Sequence, residues 1–268
     1  MSIDFDTSTT DGAAMRASVG SVLDQIAKNA DRAERERKVP VENIEALRDA
    51  GFFKSLQPAK FGGTPMGAEE YAPAVVAIAQ SCAATAWASG LLAQHSHMIA
   101  LMSTELQDEI WGDNPNALVS SSVAAINGCT EVVGGVRISG RWGWSSGCDH
   151  ASWAILGFRR EVKELGGMLI PHFAVVPMTD LTIVDDWHVA ALCGTGSKTL
   201  ELQDVLVPEH RIESIIGLMS GSSRGFGSHP GIFHAPFTPW FALGFSAVSL
   251  GVSLRFLELY KERVRTRV

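Results

Sequence analysis

At 268 residues, with 46% hydrophobic and 19% charged side chains, the chain has the composition of a soluble protein able to bury a sizeable core, with room for one large domain or two to three smaller ones. A formal net charge of −7 argues against a nucleic-acid partner, because phosphate binding needs a basic face. Cys82, Cys129, Cys148 and Cys193 are scattered with no CxxC spacing, which suggests reduced cytoplasmic thiols, and the opening "MSIDFDTSTTDG" has neither the basic start nor the apolar run of a signal peptide.

In chain order the first elements are helices. Residues 13 to 35 place Met15, Val19, Val22, Leu23 and Ile26 at helical spacing on a charged background, which predicts an amphipathic helix. In "VPVENIEALRDAGFF" Pro40 is placed to open a second helix and Gly51 to end it. "FGGTPMG" reads as a turn. Residues 67 to 80 and 82 to 101 read as two further helices, the second Ala-rich and apolar on most sides. Ser103 with a following glutamine in "STELQDEIW" suggests a capping box for one more short helix. Residues 1 to 112 are thus expected to form a helical domain.

The composition changes after Pro115. "ALVSSSVAAI", "TEVVGGVRISGRWGW", "HASWAILGFRR", "PHFAVVPM", "LTIVDDWHVAAL" and "KTLELQDVLVP" are short β-rich runs broken by Gly, Pro, Asn and Asp. Their spacing predicts a β sandwich or barrel over residues 113 to 213. "EVVGGVRISG" alternates around a Gly-Gly turn and predicts a hairpin. Residues 217 to 232 make a Gly/Ser-rich connection, and a helix is expected from about 236 to the last residue. Residues 214 to 268 would then supply a connection and the first helix of an incomplete bundle. Residues 236 to 256 approach the length of a membrane span, but the recurring Thr, Ser and Gly suit tight packing among helices, so no membrane association is expected.

Several familiar motifs fail on inspection. "CGTGSKT", residues 193 to 199, resembles a phosphate loop, but a serine separates the glycine from the lysine and a strand follows. No GxGxxG follows a strand, so no dinucleotide fold is visible. His95 and His97 lie two apart on a helix and point to nearly opposite sides, with no carboxylate at helical spacing beside either, so no metal site is expected. His95 lies near the end of an apolar helix, where an imidazole needs a partner. A structural histidine bonded to a carbonyl and a catalytic one are equally compatible with that position. Ser120, Ser121 and Ser122 pose the same choice, since a strand turns Ser121 to one face and Ser120 and Ser122 to the other.

"WGWSSGCDHASW", residues 142 to 153, gathers three tryptophans around paired serines. Together with "LQPAKFGG", "TAWASGLLAQHSH", "SSSVA", "GTGSKTLELQDVLVPEHRI" and "GFSAVSLG", it resembles the acyl-CoA dehydrogenase superfamily. Within that superfamily the chain resembles the oxygenase components of two-component flavin-dependent monooxygenases, which hydroxylate p-hydroxyphenylacetate or the phenolic ring of a secosteroid. The resemblance runs from residue 20 onward. It implies an α+β multidomain fold: a helical N-terminal domain, a central β barrel or sandwich, and a C-terminal helical bundle that is truncated here.

The same resemblance implies a site and a reaction. Reduced flavin (FMNH2 or FADH2) would come from a separate NAD(P)H:flavin reductase by diffusion and react with O2 to a C4a-hydroperoxyflavin, which hydroxylates an aromatic ring. Trp144 would pack near the isoalloxazine, Ser146 would offer its hydroxyl to the N5 edge, and Trp87 would reach the same cavity from the helical domain. Ser120 and Ser122 would also contact the cofactor. His95 and Ser121 would bind the substrate's ring hydroxyl or NH and assist its deprotonation. Arg267, with Arg265, resembles arginines near the flavin phosphate of a neighbouring subunit in a homotetramer. Family members continue past "KERVRTRV". Where p-hydroxyphenylacetate oxygenases carry an arginine, "APFTPWF" has Thr238; with Phe237, Trp240 and Phe241 it would form an aromatic wall with one hydroxyl, which implies an uncharged phenol, indole or steroid-derived ring. The alternatives are an acyl-CoA dehydrogenase proper, whose catalytic carboxylate comes from C-terminal helices, and an inactive fragment.

Overall fold

The computed structural model describes residues 9–163 and 166–267. Six helices come first: α1 (Thr10–Lys28), α2 (Ala30–Glu36), α3 (Val41–Asp49), α4 (Ala68–Ser81), α5 (Ala83–Ala100) and α6 (Thr104–Trp111). The single amphipathic helix expected over 13 to 35 is two, interrupted at Asn29. There the side-chain amide turns inward to Asn43, 2.7 Å away, instead of continuing the charged face. Ser103 caps α6 through the Leu106 N–H at 3.2 Å. The expected capping box does not close, because Gln107 lies four residues on and donates instead to the Ala100 and Met102 carbonyls.

Eight strands follow: β1 (Val119–Asn127), β2 (Cys129–Val132), β3 (Gly135–Ser145), β4 (Trp153–Val162), β5 (Met168–Pro177), β6 (Thr182–Val184), β7 (Lys198–Pro208) and β8 (Ile212–Ser214). They form two four-stranded sheets, ordered β1-β4-β5-β8 and β2-β3-β7-β6. The β2–β3 hairpin turns one residue earlier than expected. Val132 pairs with Gly135, which leaves Val133-Gly134 as the two-residue loop, with Gly134 at φ 85°. The β1–β4 pair is parallel, aligning Ser120 with Ala154 and Ser121 with Ile155. Ala154, Leu156 and Phe158 belong to the core between the sheets, whereas Val119 and Ile155 join a second core with Met98, Ile99 and Leu101 of the helical part. One face of β1 therefore looks into the sandwich and the other toward α5.

The chain closes with a short helix, α7 (Ile215–Ser220), inside the stretch expected to be a plain connection, and with α8 (Phe237–Arg265). Phe237, Trp240, Gly244, Ala247, Val248 and Gly251 are buried, the 3- and 4-residue spacing of one helix face. That face lies against α4 and α5: a Cβ on Gly251 would come within 2.5 Å of the Val76 carbonyl oxygen, so only glycine allows this approach. By length and composition α8 is apolar enough to cross a membrane, but its first half is packed on the helical domain. Beyond Gly251 it is bare, exposing Val252, Phe256, Leu257, Leu259 and Val264.

Candidate functional site

The three tryptophans of "WGWSSGCDHASW" have three different fates. Trp142 is buried between the sheets and donates its indole N–H to the Gly157 carbonyl at 2.7 Å, a structural role. Trp153 lies at the surface of the second core, with the Arg211 guanidinium 5.1 Å from its ring centroid. Trp144 is the exception. Its β3–β7 register slips between Trp142 and Ser145, its backbone is left-handed at φ 67°, and its side chain is 79% exposed. A bulky residue held in that region carries strain, which is usual at ligand sites.

The slip turns Ser146 inward. Its buried hydroxyl accepts the Trp87 indole N–H at 3.1 Å and lies 2.7 Å from the Ser197 hydroxyl, which in turn lies 2.6 Å from that of Thr195. Ser197 and Thr195 come from the "GTGSKT" loop, which carries part of the family resemblance but was given no role at the site. The Gly147 N–H to Thr195 carbonyl bond of 3.0 Å ties the two segments together. Trp87 rises from α5, and its other neighbour is Phe245 of α8, ring centroids 4.8 Å apart. Phe241 continues this aromatic run at 4.6 Å and Phe237 at 5.1 Å. The space beside Trp87, lined also by Leu91, Gln94, Phe245 and Val248, is a cavity of only about 10 Å³, far too small for a ring system of flavin size.

His95 is buried on α5. Its Nδ1–H donates to the Val119 carbonyl at 2.6 Å, and its Nε2 has no partner. Because the carbonyl can only accept, the proton sits on Nδ1 and Nε2 presents a lone pair. Burial pushes this imidazole down to about 4, so it is neutral at ordinary pH. Val119 and Ser121 lie on the same face of β1, toward α5, which puts the half-buried Ser121 on the His95 side of the strand. Ser120 and Ser122 face the sandwich, where their hydroxyls donate to the Trp153 carbonyl at 3.5 Å and the Gly143 carbonyl at 2.5 Å. The structure brings Ser146, Trp87 and Phe241's aromatic run together and places Ser121 toward His95. Ser120 and Ser122 are turned the other way, their hydroxyls engaged by backbone.

Two expected residues stand apart. Thr238 is exposed on the first turn of α8, while Phe237 and Trp240 are buried in the two helical cores, so the expected aromatic wall is mostly core. Arg267 is exposed beyond the far end of α8. Arg265, its last residue, lies about 30 Å along the helix axis from Phe245. Within one chain, neither arginine reaches Ser146. His97 faces away from His95: its Nε2–H donates to the Ile232 carbonyl at 3.1 Å, and it is stacked against Phe233 and tilted against Trp240.

A helical domain, a two-sheet sandwich and a further long helix, meeting at an indole–hydroxyl cluster, are the plan of an acyl-CoA dehydrogenase-type flavoprotein. Residues 9–113 match the family model for the acyl-CoA dehydrogenase N-terminal domain. The chain is 46% identical over 264 residues to the p-hydroxyphenylacetate 3-hydroxylase oxygenase component of Acinetobacter baumannii, covering 98% of this chain and 62% of that one. It is 34% identical to the FADH(2)-dependent resorcinol hydroxylase oxygenase component of Rhizobium sp., covering 93% of this chain and 61% of the relative. Among solved structures, the HsaA monooxygenase of M. tuberculosis superposes with a TM-score of 0.90 at 31% identity, over 96% of this chain and 68% of that one. The chain belongs to the family of flavin-dependent monooxygenase oxygenase components with the acyl-CoA dehydrogenase fold. It spans about three fifths of the length of the curated relatives it matches.

Proposed function

We propose that the whole protein is the oxygenase component of a two-component system: it takes reduced flavin, FMNH2 or FADH2, from a separate NAD(P)H-dependent reductase and uses O2 to hydroxylate an aromatic ring. The residues present fit such a cofactor. A solvent-facing indole on a strained backbone, a buried hydroxyl with a lone pair to spare and an imidazole with an unpartnered nitrogen are the loose ends that a planar, polar-rimmed ligand and an aromatic substrate would satisfy. When bound, the flavin supplies the electrons that activate O2. A homotetramer of the full-length protein would bring Arg265 and Arg267 to a neighbour's site.

The observation that carries the reading is His95 Nε2. Its proton is committed to Nδ1 by Val119, so Nε2 accepts a hydrogen bond from a phenol and draws proton density off the ring oxygen, which enriches the ring for electrophilic attack. Ser121, on the same side of β1, holds that oxygen in place. Phe245 covers the Trp87 ring beside Ser146, and apolar cover of this kind would limit wasteful release of hydrogen peroxide.

His95→Asn tests this. Asparagine keeps a donor where Nδ1 sits and deletes the Nε2 acceptor. Hydroxylated product per reduced flavin oxidised should fall by about 10²-fold or more, the usual scale of lost proton-transfer assistance. Flavin binding should be little changed. Unaltered product yield would remove His95 from the chemistry.

A further inference from the structure

Three hydroxyls and one indole at the seam leave a single consistent arrangement of protons. The Thr195 Oγ1 lies 2.9 Å from the Leu192 carbonyl oxygen. Two oxygens that close need a proton between them and the carbonyl has none, so Thr195 donates its only one. That carbonyl also receives the Thr195 N–H at 3.1 Å and the Trp187 indole N–H at 3.2 Å, which makes it a fixed acceptor. With its proton spent, Thr195 accepts at 2.6 Å from Ser197. Ser197 has then spent its own proton and accepts at 2.7 Å from Ser146. On its other side Ser146 accepts the Trp87 N–H at 3.1 Å. Every hydroxyl proton runs one way, from Ser146 to Leu192. Ser146 is left with one lone pair and no proton to offer.

We propose that Ser197 and Thr195 are positioning residues that fix Ser146 as a hydrogen-bond acceptor, and that this polarity makes the site select flavin by redox state. This rests on the reading that Ser146 meets the flavin N5 edge. Reduced flavin carries a hydrogen on N5 and can donate it to Ser146. Oxidised flavin has only a lone pair at N5, which would face the lone pair of Ser146. The relay thus rejects the spent cofactor as well as holding the active one. The arrangement is held by the chain itself: Leu192 and Gly196, which bracket Thr195, both adopt left-handed backbone at φ 57°, and the Gly147 N–H to Thr195 carbonyl bond anchors the loop to the Ser146 segment.

The test measures dissociation constants of oxidised and reduced flavin, the latter under anaerobic conditions, and takes their ratio. The proteins are the full-length enzyme and its Ser197→Ala, Thr195→Val, Thr195→Ser and Ser146→Ala variants. Ser197→Ala frees the Ser146 proton, and Thr195→Val lets Ser197 reverse. In both, the preference for reduced flavin should fall by roughly 2- to 12-fold, the span of one neutral hydrogen bond. Thr195→Ser keeps the terminal donor and should retain the wild-type ratio. A ratio unchanged in both Ser197→Ala and Thr195→Val but altered in Ser146→Ala would overturn the relay and leave Ser146 at N5. A ratio unchanged even in Ser146→Ala, or wild-type protein that binds no reduced flavin, would overturn the placement of the flavin on which the inference rests. Thermal melts identify a misfolded variant, and Thr195→Val, which keeps the shape of threonine and replaces only its hydroxyl, is then read against Thr195→Ser, which keeps the hydroxyl and loses only the methyl.

Discussion

Substituting His97 by glutamine should flatten the acid sensitivity of the fold. His97 and His95 are both buried, and burial pushes each down to about 4, against about 6.5 in the unfolded chain. His97 is buried beside Phe233 at 5.6 Å and Trp240 at 5.3 Å, and that burial outweighs the Ile232 carbonyl, which alone would favour a charge. A histidine whose folded pKa is depressed contributes stability that is fully present above about pH 6.5 and is lost as pH falls toward 4, because only the unfolded chain takes up the proton. Between pH 7 and pH 5 the loss is about 2 kcal/mol for each of the two imidazoles. Glutamine places an N–H donor where Nε2 meets the Ile232 carbonyl and does not titrate. Whatever its stability at pH 7, His97→Gln should lose about 2 kcal/mol less than wild type over that interval. Urea unfolding at both pH values, followed by tryptophan fluorescence, gives the four free energies required. The double difference removes the contributions of His150 and of the surface carboxylates. Equal losses in the two proteins would refute the assignment of His97 as a buried neutral group.

Three further outcomes follow from the structure. Trp144→Gly removes left-handed strain of about 1–2 kcal/mol and little buried surface, so stability should hold or rise by up to about 1 kcal/mol while reduced-flavin affinity falls; a melt lowered by several degrees would contradict this. The resemblance implies an arginine at the position of Thr238 in the acid hydroxylases, so p-cresol should compete for the substrate site at least as well as p-hydroxyphenylacetate, and Thr238→Arg should shift preference toward the acid. The 46% identical relative is named for the acid, and clear preference for it in the wild-type enzyme would defeat the neutral-substrate reading. The bare apolar length of α8 should drive concentration-dependent self-association of this 268-residue chain in sedimentation velocity, and a monodisperse monomer at high concentration would show that this face needs no partner.

The fold was legible where period and punctuation agreed. Helices α4, α5 and α8 fall within a few residues of their expected bounds, since long apolar runs mark all three and Gly67 and Pro236 mark the starts of α4 and α8. The break at Asn29 was not, because it depends on an amide turning to Asn43, a tertiary partner that no local pattern carries. At the site, the resemblance singled out Trp87, Trp144 and Ser146, of which the structure joins Trp87 and Ser146 by a hydrogen bond. Motif reasoning missed Thr195 and Ser197: as a motif their loop was weighed as a phosphate cradle, and its hydroxyls gain meaning from a neighbour some fifty positions away. Phe245 was missed for the same reason, as an ordinary apolar residue on a helix until its ring is seen against Trp87.

Trp87 touches three regions of the chain that leave the ribosome at different times. Its own helix and the Ser146 segment can meet as soon as the β strands are made, and the indole–hydroxyl bond can form then. Phe245, which covers the ring from α8, is synthesised about a hundred residues after Ser146. A nascent chain therefore passes through a period in which the hydroxyl relay is assembled but its aromatic cover is absent and water has free access. Placing Phe245 late in the sequence delays the covering of the Trp87 ring until nearly all of the described fold exists, and it makes α8 the element whose arrival shields the indole–hydroxyl bond from water.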